Sequence, residues 1–230
     1  MRGRWRALLV PAASTAAMLA VLLGLGVWQL HRLAWKRQLL AEIAAAEQAP
    51  PVPLPAHPSP FRKVAVSGQL RGDARALYGA EVRDGRSGPV LGGQLLVPLV
   101  RSGALPVIAD LGWVPADRRD TVTLPAGDVT IAGYLRPAEH PGLFSATDNP
   151  RARLFYTLDP AAVGAALGFP AVAPFTLVAL GAPPPAGLPD PARALPRPPN
   201  DHLQYALTWF GLAAVLLGVF AAHVRKVFRP

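Results

Sequence analysis

The chain has 230 residues, of which 51% are hydrophobic, and it carries a formal net charge of +9 without a single cysteine. The lack of thiols excludes a disulfide framework, thiol catalysis and thiolate metal sites. The positive charge does not indicate nucleic-acid binding, because residues 49–200 hold 14 basic and 11 acidic side chains and most of the excess flanks two apolar segments.

Residues 7–30 and 203–224 form long apolar segments without lysine, arginine or acidic residues. Each exceeds the roughly 20 residues that a helix needs to cross a bilayer core, so both are predicted transmembrane helices. Arg2, Arg4 and Arg6 before the first segment would also suit a signal peptide. However, the apolar stretch is too long, and no small-residue cleavage site follows it directly. We therefore expect an uncleaved anchor.

Basic residues near the two ends of the chain set the predicted orientation in the membrane. Arginine dominates the charged residues of segments 1–6 and 225–230, which lie just outside the two spans. The positive-inside rule predicts that both termini are cytoplasmic, with residues 49–200 in the periplasm beyond a bacterial inner membrane. The basic residues of segment 32–37 oppose this rule, which indicates that they have a function of their own.

Between the spans, the sequence predicts a juxtamembrane helix and then one globular domain. Residues 31–48 continue the first helix until a Pro-rich stretch ends it. Residues 49–200 are long enough for a domain with its own core. Turn residues separate β-type segments, and we expect strands at Lys63–Leu70, Gln94–Arg101, Leu105–Trp113, Val129–Leu135, Arg153–Leu158 and Phe175–Leu180.

One helix is expected in this domain, at Pro160–Leu167, with Asp159 as its N-cap and Gly168 at its end. The Pro-rich segment Pro183–Pro199 is predicted to be an extended connector to the second span. The predicted fold is therefore a membrane protein with two transmembrane α-helices flanking one β-rich, α+β extracytoplasmic domain, either a small barrel or a sandwich.

No arrangement of residues in this domain suggests catalysis. None of its serines lies in a nucleophile-elbow motif, and there is no P-loop or dinucleotide-binding motif. His57 and His140 are far apart and belong to no H-x-x-x-H pair, so they predict no metal site. A membrane-anchored periplasmic hydrolase is therefore a remote alternative, and we expect that the protein is not an enzyme.

Aromatic, basic and histidine side chains line the facing ends of the two spans. At helical spacing they form two stripes, Trp28, His31, Arg32 and Trp35 on one helix and His202, Tyr205 and Trp209 on the other. Anchoring at the membrane interface is the simple interpretation of such residues. A second interpretation is a haem site, in which His202 ligates iron, Arg32 binds a propionate and the aromatic rings stack on the macrocycle.

The motif GVWQLHRLAWK at residues 26–36 and the motif NDHLQYALTWF at residues 200–210 resemble the surfeit-locus cytochrome c oxidase biogenesis family. The resemblance covers the whole chain, with further landmarks at Val97-Pro98-Leu99, Gly112-Trp113-Val114-Pro115, Gly133-x-Leu135-Arg136 and Phe155-Tyr156. The chain departs from the family by having Asp110-Leu111 before Gly112, where arginine is usual, and by having Asp201 before the histidine.

The resemblance implies an assembly factor of the haem-copper terminal oxidase. Such a factor would bind haem a transiently through His202 and hand it to the catalytic subunit, with haem a synthase as a further partner. His31 is a candidate second ligand, although the family does not generally require histidine there. The alternative is a scaffold that stabilises an oxidase assembly intermediate without ligating iron. Membrane lipids are expected partners in either case, and nucleic acid is not.

Overall fold

The computed structural model describes residues 2–55, 62–85, 88–143 and 145–229, with side chains from residue 8 onward. His57 lies outside the described residues. The chain divides into two units, a helical unit of residues 1–42 and 197–230 and a barrel unit of residues 43–196.

The secondary structure elements are, in chain order, α1 (Arg2–Gln48), β1 (Val52–Pro53), β2 (Lys63–Leu70), β3 (Ala76–Gly85), β4 (Gly88–Arg101), β5 (Ala104–Pro115), β6 (Asp128–Pro137), β7 (Leu154–Phe155), α2 (Pro160–Ala166), β8 (Phe175–Ala179) and α3 (His202–Phe228). A short 3-10 turn at Ala116–Arg118 follows β5.

The helices α1 and α3 are both long and apolar enough to cross a membrane. Few side chains in their apolar stretches are buried, whereas the core helix of a soluble protein is apolar because it is mostly buried. The chain therefore has two candidate membrane spans. The predicted continuation of the first helix over residues 31–48 is confirmed, since α1 ends at Gln48, two residues before the first proline of the Pro-rich stretch.

Within the helical unit, α1 and α3 pack along a regular seam. Its buried and half-buried residues include Leu22, Gly26, Gln29 and Leu33 of α1 and His202, Ala206, Trp209 and Ala213 of α3. Their spacing alternates between four and three residues, which keeps one face of each helix against the other. A Cβ atom at Gly26 would come within 2.6 Å of the Phe210 ring, so the helices can approach closely here because residue 26 has no side chain.

In the barrel unit, five strands close into a barrel. The sheet order is β1-β2-β6-β8-β5-β4-β3-β7, and an additional pairing of β2 with β4 joins the two ends of its middle part. The neighbouring strands of the ring are antiparallel except β5 and β8, which are parallel. Of the two architectures that the sequence left open, the structure therefore shows the barrel.

The barrel is filled by alternate residues of its strands, because successive side chains of a strand point to opposite faces. Val64, Val97, Leu135 and Leu177 are among the fully or almost fully buried residues of this interior. A second cluster, which includes Ile108, Phe155 and Val163, packs α2 against strand residues.

The helix α2 begins at Pro160 as predicted and ends at Ala166, one residue earlier than predicted. The carboxylate of Asp159 accepts a hydrogen bond of 3.0 Å from the backbone N–H of Ala161, as an N-cap residue does. Pro160 occupies the first turn, where its missing N–H leaves no helical bond unmade. Gly168 follows the helix with a φ of +85°, a conformation that favours glycine.

Most of the predicted strands are confirmed, with several differences. The strands β1 and β3 were not predicted, and β4 begins at Gly88 rather than at Gln94. The predicted strand at Arg153–Leu158 is only the two-residue β7, because the carboxylate of Asp148 accepts hydrogen bonds from the N–H groups of Tyr156 and Thr157. Those N–H groups are therefore not available to a neighbouring strand.

The Pro-rich segment Pro183–Pro199 was predicted to be an extended connector, and the structure adds that its middle part pairs with the barrel unit. Asp190 forms a β-bridge with Trp113, and Ala192 forms another with Leu180. Leu195 is buried. The segment therefore packs along the barrel before the chain reaches α3.

Candidate functional site

The first residue of α3, His202, is bonded across the helical seam to Gln29 of α1. The ring Nδ1 of His202 lies 2.7 Å from the side-chain Oε1 of Gln29. Gln29 is only 9% exposed, because it lies on the packed face of α1 between Gly26 and Leu33. The bond thus joins two residues that are 173 positions apart in the sequence.

This hydrogen bond determines which nitrogen of the imidazole carries the hydrogen. An amide oxygen only accepts, so Nδ1 must be the donor. The neutral ring then has its lone pair on Nε2, the nitrogen that can bind a metal. No described residue forms a hydrogen bond with Nε2.

One flank of α1, beside the seam, carries an exposed stripe of three residues, Trp28, Arg32 and Trp35. The guanidinium carbon of Arg32 lies 4.6 Å from the centre of the Trp35 ring, a cation–π contact. Trp28 and Trp35 are 52% and 50% exposed. The guanidinium of Arg32 is also exposed and has no ion pair with a described acidic residue, so its hydrogen-bond donors are available to an anionic group.

On α3, Tyr205 lies on the flank that corresponds to this stripe. Arg32 directly precedes the seam residue Leu33, and Tyr205 directly precedes the seam residue Ala206. In an antiparallel pair of helices these two positions fall on the same side of the seam. Tyr205 is 54% exposed. We name Trp28, Gln29, Arg32, Trp35, His202, Tyr205 and Trp209 the helix-end site.

Trp209 differs from the other aromatic residues of the helix-end site, because it lies in the seam. Its indole N–H is buried and has no hydrogen-bond partner among the described residues, and the same is true of the side-chain oxygen of Asn200. Buried polar groups in native proteins are nearly always satisfied. Asn200 precedes His202 by two residues, whereas Trp209 lies about two helical turns further along α3.

The predicted site residues are thus only partly brought together. Trp28, Arg32 and Trp35 share a flank, and His202 and Trp209 lie in the seam. No described contact joins Arg32 with His202, so their joint use stays a prediction. His31 is exposed, and helical spacing places it about opposite Gln29 on α1.

Sequence reasoning missed the role of Gln29. A signal was present, because a glutamine at helical spacing from Gly26 and Leu33 is a polar residue on the packed face of an apolar helix. Such a residue needs a hydrogen-bond partner on the facing helix. The pairing with His202 could not be derived, since it depends on the relative register of two helices separated by the barrel unit in sequence.

The barrel unit contains a polar cluster in which the groups bond to one another. Arg136 forms an ion pair with Glu139, and the hydroxyl of Tyr78 donates to Glu139 Oε2 at 3.1 Å. Glu139 Oε2 also accepts from the N–H of Leu158. Among the described residues, no three His, Cys, Asp or Glu side chains form a metal site.

Asp110 of β5 is a buried structural residue. It is 3% exposed, and its Oδ1 accepts a hydrogen bond of 3.0 Å from the N–H of Gly112. Burial raises the pKa of the Asp110 carboxyl to about 6, although the Gly112 N–H and the positive charge of Arg136 act in the opposite direction.

The fold and the helix-end site define a β-barrel protein with two candidate membrane helices and a histidine whose Nδ1 is hydrogen-bonded across the seam to Gln29. The chain belongs to the SURF1 family, whose sequence profile matches residues 16–214. The resemblance read from the two helix-end motifs is therefore confirmed.

Individual relatives agree with this family membership. The chain is 30% identical over 235 residues to Surfeit locus protein 1 of Mus musculus, a match that covers 92% of this chain and 72% of that protein. It is 28% identical over 214 residues to a SURF1-like protein of the bacterium Rickettsia conorii, with 90% of this chain and 88% of that protein covered. The family match at residues 16–214 thus includes the barrel and part of each long helix.

Proposed function

We propose that the protein is an assembly factor of the haem-copper terminal oxidase, which binds haem a transiently and assists its insertion into the catalytic subunit. Membership of the SURF1 family supports the oxidase as the target. The observation that carries the haem-binding step is the state of His202, whose Nδ1 is engaged by Gln29 while its Nε2 has no described partner.

The residues of the helix-end site fit a haem group by their chemistry. The imidazole of His202 supplies a neutral nitrogen ligand, and the exposed guanidinium of Arg32 supplies a cation for a propionate. The exposed rings of Trp28, Trp35 and Tyr205 offer flat apolar surface to a macrocycle. Bound haem would supply an iron atom with an open coordination position for His202.

A single, partly exposed histidine at the first residue of α3 suits transient binding. No second histidine shares the seam with His202 among the described residues, and His31 lies about opposite Gln29 on α1. One axial bond, one propionate contact and partial cover by aromatic rings hold a haem less firmly than an enclosed pocket with two axial ligands. A carrier must release its haem to the oxidase, so weak retention serves this function.

The proposed location is a bacterial inner membrane, crossed by both long helices. Both termini would lie in the cytoplasm and the barrel unit in the periplasm, since basic residues flank the terminal ends of α1 and α3. The expected partners are the catalytic subunit of the oxidase, haem a synthase and membrane lipids. A reporter that is active only in the periplasm tests this topology: fused after Pro230 it should be inactive, and an active fusion would contradict the two-span topology.

A scaffold that stabilises an oxidase assembly intermediate without binding haem is the second candidate function. The exposed rings of Trp28, Trp35 and Tyr205 favour it, because aromatic side chains at a membrane interface can equally pack against a partner helix. The two functions differ in what they require of His202. A scaffold needs only the packing of the His202 side chain, whereas a carrier needs its Nε2 as the ligand of the haem iron.

A deletion strain tests the proposed function in the cell. We expect loss of the protein to lower the haem a content of the oxidase while other respiratory complexes stay intact. Wild-type protein should restore the haem, and His202→Ala at equal membrane levels should not. His223→Ala is the matched control, because His223 lies near the opposite end of α3 and is exposed. Full restoration by His202→Ala would overturn the carrier function and leave the scaffold.

A further inference from the structure

We propose that Gln29 is a positioning residue for His202, which fixes the tautomer and the orientation of the imidazole so that Nε2 faces a haem iron. This inference rests on the proposed function, because it specifies how the ligand of that site is prepared. Gln29 does not touch the haem itself. It acts through the hydrogen bond of 2.7 Å between its Oε1 and the Nδ1 of His202.

The position of Gln29 in the seam makes this bond difficult to replace. The residue is 9% exposed, with Gly26 and Leu33 before and after it on the packed face of α1. A buried amide without a partner costs free energy, because neither apolar neighbours nor lipid can accept or donate. The bond to His202 removes much of that cost. Gln29 and His202 therefore hold each other in place.

The chemistry of metal ligation explains why this bond matters for function. A metal-ligating histidine almost always donates its other ring N–H to an oxygen acceptor, which sets the tautomer, orients the ring and raises the basicity of the ligating nitrogen. The amide oxygen of Gln29 is such an acceptor. It is also neutral, so it raises the basicity of Nε2 less than a carboxylate would, which suits a bond to iron that must later break.

The bond also makes the tautomer of His202 depend on the pairing of α1 with α3. Gln29 belongs to α1 and His202 to α3, and the bond exists only while the seam holds these two helices together. If the seam opened, the imidazole would lose its acceptor and the ring could take up either tautomer. The pairing of α1 and α3 would then control whether the imidazole of His202 has the tautomer that can ligate iron.

The first test uses the haem-free, full-length protein in lipid nanodiscs and needs no loaded haem. Nitrogen-15 spectra of the histidine rings distinguish a hydrogen on Nδ1 from one on Nε2. We expect His202 in the wild type to carry its hydrogen on Nδ1, and Gln29→Leu to give a mixture of both tautomers. The matched control is Gln204→Leu, because Gln204 is an exposed glutamine of α3. It should leave the spectrum of His202 unchanged.

The second test titrates the same variants with haemin as the probe. Gln29→Leu should weaken haemin binding by about 10-fold or more, in line with the effect of removing a hydrogen-bond partner of a metal ligand. Gln29→Glu should retain binding and lower the reduction potential of the bound haem, because a carboxylate acceptor makes Nε2 a stronger donor. Neither change is expected for Gln204→Leu. A residue that only packs the helices would not shift the potential in this direction.

The outcomes separate the inference from the proposed function. If His202→Ala removes haemin binding but Gln29→Leu keeps wild-type affinity and tautomer, Gln29 is not a positioning residue and the proposed function stands. If His202→Ala binds haemin as the wild type does, the proposed function is wrong and this inference fails with it. Circular dichroism and membrane levels confirm that each variant is folded before it is compared.

Discussion

The two units of this chain differ in whether their polar side chains have hydrogen-bond or ion-pair partners. In the barrel unit, Arg136, Glu139 and Tyr78 bond to one another, and Asp190 bonds to both Arg83 and Arg193. In the helical unit, the charged group of Arg32 contacts only an aromatic ring among the described residues. One ring nitrogen of His202 and the indole N–H of Trp209 have no described partner.

This contrast shows which polar groups are structural and which are available for a ligand. The polar side chains of the barrel cluster bond to groups of their own unit. The buried hydroxyl of Thr176 in the same unit is an exception, since it has no hydrogen-bond partner among the described residues. Substitutions there should therefore change stability more than ligand binding. Substitutions in the helix-end site should change ligand binding more than stability.

Phe155 is the largest of the fully buried side chains of the barrel unit. Phe155→Ala would leave a cavity in the cluster beneath α2 and should lower the free energy of unfolding of the barrel by about 3–5 kcal/mol. Hydrogen exchange of the strand amides, measured by mass spectrometry on the full-length protein, gives this value. Molecules that remain folded should still bind haem, and a folded variant without haem would contradict the division between the two units.

Asp110→Asn tests the buried carboxyl of the barrel unit. Because burial raises the pKa of Asp110 from 3.8 to about 6, the folded state favours the neutral acid. Its contribution to stability is complete below pH 4 and is lost as the pH rises through 6, by about 3 kcal/mol in all. The asparagine oxygen can still accept from the N–H of Gly112.

We therefore expect Asp110→Asn to be more stable than the wild type by up to about 3 kcal/mol at pH 8, and the two to converge near pH 4. Hydrogen exchange of β5 at the two pH values measures the difference, after correction for the intrinsic pH dependence of exchange. An equal gap at both pH values would show that the carboxyl is not the titrating group.

Arg32→Ala removes the proposed propionate partner from the helix-end site. Propionates can also bind water or lipid headgroups, so we expect haem binding to weaken only about fivefold, equivalent to about 1 kcal/mol. Arg32→Lys should recover part of the loss because it keeps the positive charge. The barrel amides should exchange as in the wild type. Unchanged haem content in Arg32→Ala would remove this residue from the site.

His31→Ala should have the smallest effect. His31 is exposed and, by helical spacing, lies about opposite Gln29 on α1, away from the seam that holds His202. The absorption spectrum and the haem content of the purified variant should therefore match the wild type. A changed spectrum would identify His31 as a second ligand, supplied by another copy of the chain or by a rearranged helix.

Local sequence patterns were sufficient for most of the fold and for all members of the helix-end site except Gln29. Alternating residues predicted β2 and β6, and Asp159 with Pro160 predicted the start of α2. The strand β3 was missed, because its half after Tyr78 contains Gly79 and several exposed residues and bonds to β4 with a register shift. Whether such a segment becomes a strand is decided by its partner rather than by its own sequence.

The arrangement of the helix-end site could be predicted only in part. Helical spacing places Trp28, Arg32 and Trp35 on one flank of α1, because that relation lies within a single helix. The bond between Gln29 and His202 depends on how two helices pack, and no local pattern contains that register. The hydrogen bond of Gln29 to His202 was therefore found only in the structure, although His202 itself was predicted from the sequence as a site residue.

The absorption spectrum of the protein purified from cells that make haem a tests the central claim most directly. The wild type should carry a haem a band, and His202→Ala should lack it at equal protein level, while His223→Ala retains it. His202→Met should retain some haem, because a thioether can also ligate iron. A wild-type band in His202→Ala would show that the iron ligand lies elsewhere and would contradict the account.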